Sequence, residues 1–178
     1  MSKKRLLNRF SMFDLLVMAM MAAAGVATKP IIVPLVHIIT GPLFIPGGSI
    51  AGGFYMMWIV LGVGIVRKSG TGTLIGIVQA ILIISMGMFG THGIVSFITY
   101  SLPGIAIDIV FMFSRKRNYN VLHYILGGAA ANIVGTYMAN LVFFRLPLIP
   151  LLLSLSSAAL SGCLGGLIAY SIVSKFSK

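Results

Sequence analysis

Residues 94–113 read IVSFITYSLPGIAIDIVFMF, an apolar run long enough to cross a bilayer, with one carboxylate, Asp108, well inside it. About 20 residues of helix span the hydrocarbon, and a charge near its middle costs about 2.5–3.5 kcal/mol on insertion scales. Such a group is kept where it faces protein, water or a ligand. Two readings of Asp108 follow. It is either a structural carboxyl bonded to a neighbouring helix or a contact to a bound molecule. The rest of the chain reads as the cage around this helix.

Composition places that cage in a membrane. The 178 residues are 58% hydrophobic and 8% charged, and the mean hydropathy is +1.07, values foreign to a soluble domain. The length suits one helical bundle and leaves no room for a soluble catalytic domain. A net charge of +11 raises nucleic-acid binding. The basic residues, however, fall in short clusters between apolar runs, as membrane topology produces, and not along a soluble face. The single cysteine, Cys163, lies in the small-residue run SGCLGG. Alone it forms no internal disulfide or Cys-pair metal site, and it reads as packing. The start, MSKKRLLNRF, has the charge of a signal-peptide n-region. Because further spans follow and need a topological start, retention as a first membrane helix is expected.

Six apolar runs can be laid out, at about 13–28, 49–66, 71–89, 94–113, 121–144 and 146–173, the last helix starting near Pro150. The fold class expected is an all-α integral membrane protein, one compact bundle of six transmembrane helices forming a single domain over residues 1–178. An even count puts Lys3, Lys4, Arg5, Arg9, Arg67, Lys68, Arg115, Lys116, Arg117, Lys175 and Lys178 on one side, eleven charges against Lys29 and Arg145 on the other. The excess of Lys and Arg marks the cytoplasmic face, so both termini are expected there. Asp14, the other acidic residue, sits at the edge of the first run, within reach of interfacial water.

Between the first two runs lies KPIIVPLVHIITGPLFIPGG, residues 29–48, with four prolines and three glycines. Proline removes a backbone donor and disfavours helix in the residue before it, so an external hydrophobic loop is expected. It is too apolar to be solvated, and reads as a re-entrant flap over the bundle or a plain plug. In the first run Ala19, Ala23 and Ala27 recur every four residues. Such small-residue faces let helices approach closely in lipid, either within this bundle or against a separate membrane protein.

Polar residues inside apolar runs must face the bundle interior. Gln79 lies in the third run, and Asn132, Thr136 and Asn140 form one stripe down the fifth, with Tyr137 beside it. Interhelical hydrogen bonds in membranes average only about 0.6 kcal/mol, so a polar, ligand-accepting cavity explains the stripe better than adhesion between helices. Trp58, Tyr55 and Tyr100 offer flat walls for a heterocycle, and His92 sits near the outer mouth. His92 and His37 have neither the spacing nor the carboxylate companion of a metal site. No nucleotide-binding motif, H-E-x-x-H or nucleophile–base pair is present, and no inverted repeat. An enzyme is not expected, nor is a cofactor.

Six short spans, an alanine-rich first helix, a hydrophobic first loop and no motor of its own resemble the S components, the substrate-binding membrane subunits, of energy-coupling factor (ECF) vitamin transporters. The stretch GPLFIPGGSIAGGFYMMWIVLGVGIVRKSGTGTLIGIVQAILIISMGMFG resembles the branch handling thiamine and its hydroxymethylpyrimidine precursor. Gly41-Pro42, Tyr55, Trp58, Arg67-Lys68 and Gly70 occupy that branch's positions. The resemblance implies capture of a vitamin-like molecule in the outer half. It also implies docking through Ala19, Ala23 and Ala27 onto a transmembrane coupling protein carried by two ATPases. That branch carries acidic residues in its second and third helices, where this chain has Gly48 to Gly52 and Gln79, which disfavours a cationic ligand. Two alternatives stand beside it, a non-transporting membrane scaffold whose polar stripe only joins helices, and a cobalt-type metal-ion permease.

Overall fold

The computed structural model describes residues 9–43, 45–87, 94–114 and 119–176. His92 and Thr91, with the basic residues at 3–5, 115–117 and 178, lie outside the described residues. Six α-helices and no strands occur among the described residues: α1 (Met12–Thr40), α2 (Gly47–Val66), α3 (Thr71–Met86), α4 (Ile94–Met112), α5 (Val121–Ala139) and α6 (Leu148–Phe176). Five of the segments, all but α3, are long and apolar enough to cross a membrane.

The first helix departs most from expectation. Where residues 29–48 read as a broken loop, α1 runs unbroken through Pro30 and Pro34 to Thr40, followed by a 3₁₀ turn over Gly41–Leu43. The reason is environmental. Each proline forfeits one helical N–H, whereas uncoiling an apolar segment away from water strands every backbone group in it. The turn ahead of Pro30 is braced from outside, since Trp58 Nε1 donates to Thr28 Oγ1 (3.0 Å), which itself donates to the Ala24 carbonyl (2.6 Å). At its other end α1 starts with a capping box. Ser11 N–H donates to Asp14 Oδ2 (2.6 Å) and Asp14 N–H to Ser11 Oγ (3.2 Å). Asp14 is buried rather than wetted, and pairs with Lys68 at the head of α3.

The central post is α2, with thirteen of its twenty residues buried. Ile59, Val60 and Val63 meet Ile75, Ile107 and Tyr124 in the core. Close contacts depend on glycine. A Cβ on Gly162 would stand 2.4 Å from the Gly128 carbonyl oxygen, which fixes the approach of α5 to α6. The same device joins α3 to α4, where a Cβ on Gly104 would stand 2.2 Å from the Gly72 oxygen. Leucine, isoleucine and phenylalanine side chains cover the periphery, as lipid contact requires.

At sixteen residues α3 is shorter than the run of 71–89, about 24 Å at 1.5 Å per residue. Gly70 (φ 92°) and Gly87 (φ 57°), both in the left-handed region, bound it. The sixth helix begins at Leu148, a fraction of a turn before the expected Pro150. Ala19, Ala23 and Ala27 are exposed on the outer face of α1.

Candidate functional site

A cavity of about 600 Å³ opens at the end of the bundle away from the start of α1 and the end of α6. The second half of α1, the start of α2, the end of α5 and the start of α6 wall it. Its existence depends on two local events. In the first, α1 continues past Lys29, so Lys29, Val33 and His37 fall at four-residue intervals down one face and line the cavity. In the second, α5 widens into a π turn over Asn140–Phe144 and ends at Arg145, in the left-handed region at φ 46°. Arg145 N–H donates to the Asn140 carbonyl (2.8 Å) and Leu146 N–H to Asn140 Oδ1 (2.8 Å). Together they set Phe143 and Phe144 against the cavity. Single π turns recur at functional sites because they re-aim side chains.

The expected polar stripe divides. Thr136 and Asn140 line the cavity, and the buried Thr136 hydroxyl has no hydrogen-bond partner. An orphaned buried hydroxyl costs about 1–3 kcal/mol, and this one belongs to a residue of the cavity wall. Asn132 does not reach the cavity. It is fully buried, and its amide donates to the carbonyls of Ser49 (2.9 Å) and Ala158 (2.8 Å). Its Oδ1 rests in the notch of Gly52, where a Cβ would stand 1.7 Å away. Asn132 therefore ties α5 to α2 and α6. Tyr137, beside the stripe, points outward and is 42% exposed, the outcome of a position one residue off the inward face.

The other expected contacts also sort by geometry. Tyr55 lines the cavity, its hydroxyl donating to the Gly48 carbonyl (3.0 Å). Trp58 is engaged by Thr28, as above, and Gln79 packs into the space left by Gly25, both away from the cavity. Tyr100 reaches it through Lys29, whose Nζ donates to the Tyr100 hydroxyl (2.5 Å).

Asp108 lies at the opposite end, on the wall of a second cavity of about 330 Å³, and its hydrogen bonds are those of the first of its two readings, a carboxyl bonded to a neighbouring helix. Its Oδ1 accepts Gly72 N–H (3.0 Å), and its Oδ2 accepts Thr73 N–H (2.7 Å) and Thr73 Oγ1–H (2.6 Å). It thus caps α3 from a neighbouring helix. Helix α3 has no side-chain cap of its own at Gly70; its free N–H groups and positive dipole end take a carboxylate instead. Three hydrogen bonds to an anion, each worth about 1.5–3 kcal/mol, exceed the insertion cost of the charge.

Two cavity residues went unnoticed among the expected contacts. Lys29 read as a loop charge, and its role as a wall becomes visible only once the helix is carried through the prolines. It lies over the Tyr100 ring (4.4 Å to the centroid) and the Tyr55 ring (5.5 Å). A cation over a ring gains about 0.5–2 kcal/mol, which does not fully offset the cost of placing it in a membrane. His37 Nδ1 accepts Gly47 N–H (3.2 Å), so the neutral ring carries its proton on Nε2.

A family model described as ABC-type cobalt transport system, permease component, matches residues 13–134. The fold is similar to a solved structure described as an S-component of an ECF transporter, with a TM-score of 0.76 at 17% identity, covering 94% of this chain and 86% of that one. No curated protein sequence matches this one.

Proposed function

The chain belongs to the family of ABC-type cobalt transport system permease components, and on that premise we propose that it is the membrane-embedded substrate-binding subunit of an ECF importer. Permeases of this family transport and are not enzymes, and the protein is a multi-pass protein of the prokaryotic cell membrane. In this reading it captures a vitamin or vitamin precursor from outside and delivers it, with a transmembrane coupling protein and two ATPases, to the cytoplasm. The observation that carries the reading is the cavity at one end, with its aromatic wall of Tyr55, Phe143 and Phe144 and a few polar groups. Small-molecule sites are concave, mostly apolar and fitted with a few polar groups, which describes this one. The resemblance to the thiamine branch favours a hydroxymethylpyrimidine-like heterocycle. The family's name raises cobalt as cargo, but the cavity wall carries an ammonium and neither carboxylate nor thiolate, a poor fit for a divalent cation.

The orientation belongs to the same proposal. With α3 counted as a sixth span and both termini cytoplasmic, the cavity opens outward. Reporter fusions at Ser114 and Phe176 are expected to signal cytoplasm and one at Arg145 the exterior. An external signal at Phe176 would turn the cavity inward and end the capture role.

Docking is proposed through Ala19, Ala23 and Ala27, whose exposure on α1 suits a partner helix. Ala23→Trp is expected to abolish co-purification with the coupling protein and stop uptake, while the isolated protein keeps its ligand affinity within about twofold. Lost binding with an intact complex would move the docking face elsewhere.

A further inference from the structure

From the cavity's polar inventory we infer that the captured molecule carries an anionic oxygen group, a carboxylate or a phosphate, seated at Lys29. This deepens the substrate-binding reading and rests on it. Lys29 has no carboxylate to pair with. The chain has two acidic side chains; Asp14 is engaged by Lys68 and Asp108 by the head of α3, both at the end opposite the cavity. A lysine near a membrane surface ordinarily extends its ammonium into water. Lys29 instead is half-buried over two tyrosine rings, with one N–H given to Tyr100 and no protein acceptor for the others among the described residues. Among the other polar groups, Asn140 keeps its amide N–H groups while its oxygen is held by Leu146; the hydroxyls of Tyr55, Ser49 and Ser154 give their protons to backbone carbonyls and so act on the cavity only as acceptors. A wall whose one charge is an ammonium with spare N–H groups, and which holds no acid, selects an anion. The apolar remainder, Val33, Pro34, Phe143 and Phe144, suits a flat or aliphatic body attached to that anion.

The test separates ligands by charge. A bacterial small-molecule extract is divided by ion exchange into anionic, neutral and cationic pools. Each is added to the detergent-purified protein and to Lys29→Met and Lys29→Arg variants, and the melting temperature is read. The expected result is that the anionic pool stabilises wild type and Lys29→Arg but not Lys29→Met. The active component, once isolated, should bind Lys29→Met about 10- to 150-fold more weakly. Phosphatase treatment of the pool distinguishes the two sources: activity lost means a phosphate, activity kept means a carboxylate. Stabilisation of wild type by the neutral or cationic pool alone would overturn the inference and leave the substrate-binding reading standing. Stabilisation by no pool would overturn both. The wild-type arm decides the matter even if Lys29→Met does not fold.

Discussion

Asp108→Ala is expected to lower the melting temperature of the ligand-free protein more than any other single polar substitution, by the equivalent of about 3–5 kcal/mol. The carboxylate accepts three hydrogen bonds at the head of α3, and its loss strands the buried Gly72 N–H and leaves the part-buried Thr73 N–H and hydroxyl without their acceptor. Removing one side of a buried charged contact costs that much because the other side is left without water or partner. Asp108→Asn keeps one acceptor oxygen and is expected to fall between wild type and alanine. The folded fraction of either variant should bind ligand with wild-type affinity, because the cavity lies at the far end of the bundle. Detergent melting paired with titration calorimetry checks both halves. A variant of normal stability with weakened binding would return Asp108 to the ligand.

The second large effect separates two residues of one stripe. Asn132→Leu is expected to destabilise the protein by about 2–4 kcal/mol, since it strands the carbonyls of Ser49 and Ala158 and forces a larger side chain against Gly52. Thr136→Val, one turn away, should do the reverse. It removes an unpartnered hydroxyl, so the ligand-free protein should be as stable or about 1 kcal/mol more so. Ligand affinity should drop by roughly 5- to 150-fold. Equal behaviour of the two variants in both measurements would deny the division between helix contact and cavity wall.

Asp108 and Asn132 also mark how far the sequence could be read. Polarity inside an apolar run says that a group has a partner; it does not say which. Both side chains were legible in the sequence as groups in need of partners. One serves a helix terminus and the other two carbonyls, choices made by packing across 26 to 83 residues of chain. Helix positions were legible because apolar runs bounded by charges leave few options in a bilayer. The stretch 29–40 was not, because proline is a strong breaker in water and a tolerable one where uncoiling has no solvent to turn to. That one misreading hid Lys29 and His37, since only a continuous helix places them on a single face. The π turn over Asn140–Phe144 has no local signature and emerges from how α5 closes onto α6.

The central claim is that the cavity between α1, α2, α5 and α6 holds one small organic molecule for import. It is tested most directly by purifying the tagged protein from prokaryotic membranes beside Ala139→Trp, which fills the cavity from the α5 wall. Small molecules are identified by mass spectrometry and metals by elemental analysis. The account predicts one organic compound approaching one per chain in wild type, absent from the filled variant, with no divalent metal in proportion. A stoichiometric divalent metal, or no compound enriched over Ala139→Trp, would contradict it.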